Sequence, residues 1–511
     1  MKRICQLCLL ALLLVACKPN NNVENSVELS ATMVVLQVGQ DTIVEATVSP
    51  RGTTVEWSSE DEQVATVFSG IIVAVGEGMT TITAKAGTSS ANCVVIVEES
   101  TPARAITPDD DLSDAVRRLP RSNKRGVSFS NPFFVEDVAI LSSGISWVYN
   151  WGPAPSSSFD TEFGKYDIDF IPMAWNASYD KSRIRTFVQA HPGCKYLLAF
   201  NEPNLKDQAR MTPTEAAAKW PELKAFAAEV GLQLVSPAMN YGTLDGYSDP
   251  IKWLDEFFAC PEVSLDDVSA IALHCYMGAA GAMKSFIDRF DKYGKPIWMT
   301  EFCGWEAPVT SEQTQLEYMS ETVLMLEADP RVQRYAWFIA RGSGSITNKP
   351  WNQLLTKTEP YTLSSQGLIY TSLTSFDKTT WLNPAKHILM NTCSSVCTLA
   401  DANALASPRF LPANDAYGTL YMSNVTSGKW VEFQVDAEKN LSTLNLCYLA
   451  YSKSNLQISV DGAAAATVEL PRSADDAWHI LSEKIALTQG KHTIRLQNLS
   501  GNMNIHWMIF N

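Results

Sequence analysis

The sequence predicts a multidomain chain in which a β-sandwich precedes a (β/α)8 (TIM) barrel and a second, jelly-roll-like β-sandwich follows it. Three observations indicate this fold class. Short runs of β-branched residues fill 27–98, eight apolar runs separated by mostly helix-like stretches span 124–376, and alternating apolar and polar residues return over 385–511. A length of 511 residues fits three or four domains.

Composition narrows the classes of function. The formal net charge of −15 argues against a nucleic-acid partner, which requires basic patches. The cysteines form no C-x-x-C pair outside the first residues, and there is no H-E-x-x-H cluster, so we expect no metal site. The chain also lacks the G-x-S-x-G turn of serine hydrolases.

Residues 1–17 read as a targeting segment. Lys2 and Arg3 precede an apolar run that is too short to span a membrane. The sequence Leu14-Val15-Ala16-Cys17 resembles the bacterial lipobox. This resemblance implies cleavage before Cys17 and a lipid on its thiol. We therefore expect the protein in the bacterial cell envelope, anchored in a membrane that we take to be the outer one, facing either the periplasm or the exterior.

Residues 27–98 read as an all-β domain with Gly- and Ser-rich turns. The segment that runs from Val55-Glu56-Trp57 to Gly78-Met79-Thr80 resembles the bacterial Ig-like group 2 domain, a spacer or adhesion module. Residues 99–123 contain two Thr-Pro pairs and an acidic run, so they read as a linker.

The central segment, 124–376, fits a (β/α)8 barrel. Its eight strand-like runs are 125–130, 146–151, 168–175, 196–201, 232–239, 270–276, 296–302 and 335–340. Thr212-Pro213-Thr214-Glu215 predicts a helix start with a capping box, and Gly294 predicts a helix end. An open doubly wound sheet is the rival, although no Gly-rich phosphate loop follows the first strand.

Two carboxylates follow apolar strands in this segment. Glu202 stands in Asn201-Glu202-Pro203 after the fourth run, and Glu301 stands in Thr300-Glu301-Phe302 after the seventh. Reactive groups of a (β/α)8 barrel lie at the carboxyl ends of the strands, and the fourth and seventh strands lie across its mouth. A facing pair of carboxylates is typical of the active site of a retaining glycosidase, in which one carboxylate acts as acid and base and the other as nucleophile.

Other side chains are predicted to surround this pair. Asn201 would contact the sugar 2-hydroxyl, His274 and Tyr276 would orient the nucleophile, and Trp337 would lie under the cleaved sugar. Further aromatic residues near strand ends are candidates for stacking on sugars, namely Trp147, Tyr149, Trp151, Trp175 and Trp305.

The motifs Trp147–Pro153, Phe170–Trp175, Phe200–Pro203 and Lys295–Phe302 resemble glycoside hydrolase family 128. The resemblance covers about 125–375. It implies a retaining endo-β-1,3-glucanase in which Glu202 is the acid/base and Glu301 the nucleophile, with β-glucan as the partner. Two alternatives stay open: another retaining β-glycanase of the same clan, on β-1,4 or mixed-linkage chains, or a non-catalytic surface glycan-binding lipoprotein.

The C-terminal segment, 385–511, resembles a carbohydrate-binding module of the family 6 type, through motifs such as Ser427–Phe433 and Gly490–Leu496. The resemblance implies sugar contacts at Tyr421, Trp478 and Asn504. It also implies a structural calcium ion, but Ala400-Asp401-Ala402-Asn403 and His506 stand at the places of its ligands. We therefore expect no cofactor.

Overall fold

The computed structural model of the chain describes residues 25–37, 41–50, 52–98, 111–130, 133–341, 350–401, 406–413, 415–473 and 477–511. The predicted signal segment, which includes Cys17, and residues 99–110 of the predicted linker lie outside these residues. The chain divides into two compact units, Met1–Ser100 and Thr101–Asn511. No helix in the described part of the chain is long and apolar enough to cross a membrane.

The N-terminal unit is a β domain, as the sequence predicts. Its strands are β1 (Ser26–Leu29), β2 (Met33–Gln37), β3 (Asp41–Ile43), β4 (Ala46–Ser49), β5 (Glu56–Ser59), β6 (Ala65–Phe68), β7 (Ile71–Ala74), β8 (Gly78–Ala86) and β9 (Ser89–Glu98). They form sheets in the orders β2-β9-β8-β5, β3-β7-β6 and β1-β4. One buried apolar core takes residues from the two larger sheets, including Ile72, Ile82 and Val95. The Ig-like assignment stays a prediction.

Eight strands alternate with eight helices in the described residues from 125 to 372. The strands are β10 (Arg125–Ser128), β11 (Trp147–Tyr149), β12 (Asp169–Phe170), β13 (Tyr196–Leu198), β14 (Gln233–Val235), β15 (Ile271–Cys275), β16 (Ile297–Phe302) and β17 (Val332–Trp337). The helices are α1 (Val135–Leu141), α2 (Ser157–Lys165), α3 (Lys181–Ala190), α4 (Pro213–Glu229), α5 (Pro250–Phe258), α6 (Ala280–Asp288), α7 (Glu312–Ala328) and α8 (Ser365–Ser372). The predicted strand–helix repeat is therefore present.

All pairings between these strands are parallel. One sheet has the order β12-β11-β10-β17-β16-β15, and β13 pairs with β14 in a second sheet. Isolated parallel bridges join the two sheets at both edges, through Met173 and Leu198 on one side and through Met239 and Leu273 on the other. The carboxyl ends of all eight strands consequently lie on one side.

The C-terminal part of the second unit is rich in β-structure. Its strands are β18 (Ile388–Leu389), β19 (Ser395–Val396), β20 (Arg409–Pro412), β21 (Leu420–Val425), β22 (Trp430–Ala437), β23 (Leu441–Ala450), β24 (Ser454–Val460), β25 (Ala463–Leu470), β26 (His479–Leu487), β27 (Gly490–Ser500) and β28 (Met503–Phe510). They form two antiparallel sheets, one in the order β20-β21-β28-β23-β26 with β18 beside β28, the other in the order β19-β22-β27-β24-β25.

Candidate active site

Strand ends bring the two predicted catalytic carboxylates together with an imidazole. Glu202 lies shortly after β13, while His274 and Glu301 lie in the adjacent strands β15 and β16. His274 is the register partner of Glu301 in that parallel pair, so the two residues lie side by side. One ligand atom each from Glu202, His274 and Glu301 lies within 4.8 Å of the other two.

Three donors hold the Glu301 carboxylate. Tyr149 donates its hydroxyl to Oε1 at 3.1 Å, and the Trp151 indole donates to the same oxygen at 2.7 Å. The Tyr276 hydroxyl donates to Oε2. Hydrogen bonds to a carboxylate favour its ionised form and fix its plane. Glu301 is therefore a rigidly oriented carboxylate, although it is almost fully buried.

Glu202 is held through one of its two oxygens. Its Oε1 accepts a hydrogen bond from Asn240 at 3.2 Å and lies 2.9 Å from His274 Nδ1. No described side chain bonds its Oε2. Glu202 also adopts a left-handed backbone conformation, with φ of 43°, which costs roughly 1–2 kcal/mol for a residue with a Cβ. This geometry leaves one Glu202 oxygen available to a bound molecule.

Both carboxylates open onto one cavity of about 530 Å³, which suits a ligand of several rings. Its wall contains seven residues singled out from the sequence: Trp151, Trp175, Asn201, Glu202, Tyr276, Glu301 and Trp305. Broad indole faces beside a carboxylate pair fit the apolar faces of sugar rings. The cavity therefore combines reactive groups with stacking surfaces.

Two predicted contacts do not reach this cavity. Trp147 is fully buried, packs on Trp298 and donates its indole N–H to the Lys124 carbonyl. Trp337 is also fully buried, between the rings of Phe302 and Tyr370. The prediction that Trp147 and Trp337 contact the sugar is therefore wrong, because these indoles fill the core of the protein instead of the cleft.

Two other predicted residues lie behind the cavity wall instead of lining it. Tyr149 and His274 are fully buried, yet both contact the carboxylates through their polar atoms. The cavity in turn contains residues that the sequence analysis missed, namely Leu205, Gln208, Asn240, Glu306 and Phe338. Asn240 directly follows the fifth apolar run, 232–239, so the rule that found Glu202 would have found it.

Asn201 is oriented by one of these missed residues. Its side-chain amide nitrogen donates to Gln208 Oε1 at 3.1 Å. This contact shows which end of the side-chain amide is the nitrogen and which is the oxygen. That oxygen is buried and has no hydrogen-bond partner in the described part of the protein. Because Asn201 lines the cavity, its acceptor is available to a hydroxyl group of a ligand.

The two carboxylates differ in the direction of their pKa shifts. Burial raises the pKa of Glu202, but the charge of His274 and the hydrogen bonds from His274 and Asn240 outweigh it, so this pKa lies below its ordinary value. Burial raises the pKa of Glu301, His274 opposes that rise, and the negative charge of Glu202 adds to it, with a net upward direction. Burial lowers the pKa of His274, but the two carboxylates raise it by more than burial lowers it. This pKa therefore lies above its ordinary value.

These three groups titrate as a set because they lie so close together. In the free site the proton is therefore favoured on His274 and Glu301 more than on Glu202. Any reaction that needs a protonated Glu202 beside an ionised Glu301 draws on a minor protonation state of the free site.

The three predicted sugar contacts in the C-terminal part are not assembled as an open platform. Tyr421 and Asn504 are buried, and Trp478 is half-buried with its ring edge-on to Tyr421 at 5.6 Å. Asn504 donates its amide to the Tyr451 hydroxyl. The prediction that a sugar stacks on Tyr421 is therefore wrong, because its ring is covered by protein.

Two family models match this chain. Residues 126–370 match the model described as glycosyl hydrolase catalytic core, and residues 406–510 match the model described as carbohydrate binding module (family 35). The prediction of a C-terminal carbohydrate-binding module is confirmed in this form. The finer expectation of the family 6 type stays untested.

Three solved structures are similar to the central segment. A subgroup II endo-β-1,3-glucanase of glycoside hydrolase family 128 from Pseudomonas viridiflava is 40% identical, over 50% of this chain and 98% of that one, with a TM-score of 0.44. A subgroup II enzyme of the same description from Sorangium cellulosum is 32% identical, over 49% and 98%, with a TM-score of 0.42. A subgroup I enzyme from Amycolatopsis mediterranei is 30% identical, over 48% and 98%, with a TM-score of 0.38.

A curated relative is more distant. Alkali-sensitive linkage protein 1 of Schizosaccharomyces pombe is 28% identical over 211 residues, which are 39% of this chain and 35% of that protein. The chain thus spans about a third of the length of that relative.

The catalytic core and its carboxylate pair define a glycoside hydrolase. Identity of 40% across almost the whole of a family 128 enzyme is decisive for the family. The chain belongs to glycoside hydrolase family 128.

Proposed function

We propose that this glycoside hydrolase cleaves β-1,3-glucan with retention of configuration, acting within the chain. The observation that carries the retaining mechanism is the carboxylate separation: an oxygen of Glu202 and an oxygen of Glu301 lie within 4.8 Å of each other. Retaining glycosidases keep their carboxyl groups about 5–5.5 Å apart, whereas inverting ones leave roughly 6.5–9.5 Å for a water molecule.

The donors around each carboxylate support the assignment of roles. Glu301, fixed by three donors, attacks the anomeric carbon and forms a covalent glycosyl-enzyme intermediate. Glu202 carries its proton on Oε2, because Oε1 is taken by Asn240 and His274. It first protonates the leaving oxygen and then deprotonates the water that releases the sugar.

The glucan linkage is taken from the relatives. The enzymes from Pseudomonas viridiflava and Sorangium cellulosum are described as endo-β-1,3-glucanases, and the Amycolatopsis mediterranei enzyme is described in complex with laminaritriose and laminaribiose. A subgroup III relative from Blastomyces gilchristii, 27% identical, is described as a curdlan-specific exo-β-1,3-glucanase. Endo action is proposed here because the more similar relatives carry that description.

A (β/α)8 barrel is the architecture that we propose for the core. Its support is the repeat of eight strands and eight helices within the described residues of 125–372, together with parallel bridges at both edges of the two sheets. In such a barrel the candidate site lies at the carboxyl ends of the strands, where Glu202 follows β13 and Glu301 is the last residue but one of β16.

The substrate is tested with purified protein on laminarin, curdlan, xylan and cellulose, with Glu301→Gln as the inactive control. We expect laminarin and curdlan to be cut and Glu301→Gln to cut neither. Cleavage of xylan or cellulose alone would replace the β-1,3-glucan proposal with another β-glycanase. Retention of a glycan on an affinity gel without any cleavage would favour a binding protein.

Anchoring in the cell envelope is a separate proposal, supported by Leu14-Val15-Ala16-Cys17 and the polar residues that follow it. The Ig-like domain would then act as a spacer between the lipid and the enzyme. Metabolic labelling with a radioactive fatty acid should mark the wild-type protein and leave Cys17→Ala unlabelled. Equal labelling of both would contradict a lipid on Cys17.

A further inference from the structure

The three polar atoms at the centre of the site converge as metal ligands do. His274 Nδ1 lies 2.9 Å from Glu202 Oε1 and 3.4 Å from Glu301 Oε2. All three side chains are almost fully buried, so they cannot turn away into solvent. They come from three different strand ends; Glu202 and Glu301 lie on the wall of a cavity that admits solutes, and His274 lies directly behind that wall.

The two separations from His274 Nδ1 fit a small divalent cation, and the third, between the two carboxylates, lies within 4.8 Å. A zinc ion binds imidazole nitrogen and carboxylate oxygen at about 2.0–2.2 Å, so tetrahedral ligands lie roughly 3.3–3.5 Å apart. The separation between His274 and Glu301 already has this value, and the separation between His274 and Glu202 needs to open by only about half an ångström. One imidazole with two carboxylates is a ligand set for zinc and its neighbours in the first transition row.

Charge favours a cation at this point. Two buried carboxylates are costly in their ionised form unless their charge of −2 is neutralised. Protons supply that neutralisation in the free site, and a divalent ion can take their place. A single divalent ion bound to both carboxylates and to a neutral imidazole balances the site completely. The remaining coordination position would face the cavity, because both carboxylates line it and His274 lies behind its wall.

We propose that Glu202, His274 and Glu301 form a binding site for a divalent transition-metal ion such as Zn²⁺, and that the ion excludes glucan from the free enzyme. The ion holds both carboxylates in their ionised form, so Glu202 has no proton to give and Glu301 cannot attack the sugar, and the metal-bound form is inactive. Only the inhibition rests on the proposed function; the binding of the ion rests on the geometry.

Binding is tested first, without turnover. Co²⁺ replaces spectroscopically silent Zn²⁺ as the probe, titrated into the full-length enzyme after removal of metal with a chelator. We expect one Co²⁺ per chain with a visible absorption, displaced by Zn²⁺, and no intense near-ultraviolet band from cysteine thiolate. His274→Asn and Glu202→Gln should lose this spectrum while keeping the circular dichroism of the wild type.

A matched control separates this site from surface binding. His191 lies 3.0 Å from Asp160 on the partly exposed surface, so His191→Asn removes an imidazole–carboxylate pair outside the cavity. This variant should keep both the Co²⁺ spectrum and the activity. A spectrum that persists in His274→Asn and Glu202→Gln, or the absence of saturable binding, would overturn the proposal.

Inhibition provides the second readout. With Zn²⁺ at ten times its inhibition constant, the apparent KM for laminarin should rise about elevenfold at unchanged kcat, and a chelator should restore it. A fall in kcat at constant KM would overturn exclusion of glucan. If no glucan is cleaved while Co²⁺ still binds, the proposed function fails and the metal site stands; if laminarin is cleaved and Co²⁺ does not bind, the reverse holds.

Discussion

At the scale of single residues, the two carboxylates are distinguished by how many of their oxygens are occupied. Both oxygens of Glu301 accept hydrogen bonds from neutral donors, whereas Glu202 is bonded through Oε1 alone. A carboxylate that is bonded on both sides keeps its position while it becomes a covalent ester. A carboxyl group with one oxygen open can deliver and recover a proton.

The roles of the two carboxylates are separable by the stereochemistry of azide rescue. In Glu301→Gly, azide should fill the vacated place and displace the leaving group directly, so the product is an α-glycosyl azide. In Glu202→Gly with an activated aryl glycoside, azide should attack the covalent intermediate and give a β-glycosyl azide. Nuclear magnetic resonance of the products distinguishes them, and exchanged outcomes would reverse the assignment.

His274 is predicted to set the pH range of activity. Its positive charge lowers the pKa of both carboxyl groups, so His274→Asn should raise both. The two limbs of the kcat/KM profile follow the two pKa values of the carboxylate pair as a whole, hence both limbs should move to higher pH. The profile of His191→Asn should match the wild type. A shift of either limb to lower pH would contradict this account.

Polar residues at strand ends were the part of the site that the sequence could predict. A carboxylate or amide after an apolar strand needs a partner, and this reason applies to Glu202, Glu301 and Asn201. Aromatic residues gave no such signal, because an indole suits a core as well as a cleft. Trp147 and Trp337 were therefore misplaced, while Trp151 and Trp175 line the cavity as predicted.

At the scale of elements, short sequence motifs that act locally, such as a capping box or a terminating glycine, predicted the helix ends well. The box Thr212-Pro213-Thr214-Glu215 caps α4 as expected, with Thr212 accepting from the Glu215 amide and Glu215 accepting from the Thr212 amide. Gly294 adopts the left-handed conformation, with φ of 59°, at the end of a short 3-10 turn. The predicted strand lengths were less accurate, since four of the eight described strands of the core contain three residues or fewer.

The cap of α4 should be locally stabilising. Thr212→Ala removes the oxygen that accepts from the Glu215 amide, which should cost about 1 kcal/mol. Hydrogen exchange of the amides in the first turn of α4 should become about fivefold faster. Thr214→Ala is the matched control, because Thr214 lies two residues further along the chain and is exposed. It should leave exchange unchanged. Equal rates in both variants would show that the hydroxyl of Thr212 does not stabilise the helix.

At the scale of the whole molecule, the sequence predicted separate modules but not the contact between the last two. Residues 101–511 form one compact unit, in which Arg409 of β20 reaches α7 of the catalytic core. It pairs with Glu317 and, at 2.7 Å, with Glu321, while the Phe410 amide donates to Ser320 at 2.7 Å. These partners are about ninety residues apart, and no local pattern specifies such a pairing.

This contact should make the stability of the catalytic core depend on the C-terminal module. Burial raises the pKa of Glu317 and the charge of Arg409 opposes that rise, so Arg409→Ala leaves a buried carboxylate without its partner. Breaking a buried ion pair on one side typically costs 3–5 kcal/mol, and we expect a lower unfolding midpoint together with loss of glucanase activity at the same temperature. Lys453→Ala, which removes an exposed pair with Glu469 in the same module, should change neither. If Arg409→Ala melts like the wild type, or if its activity is lost well above or below the unfolding of the module, the two parts are not coupled through this ion pair.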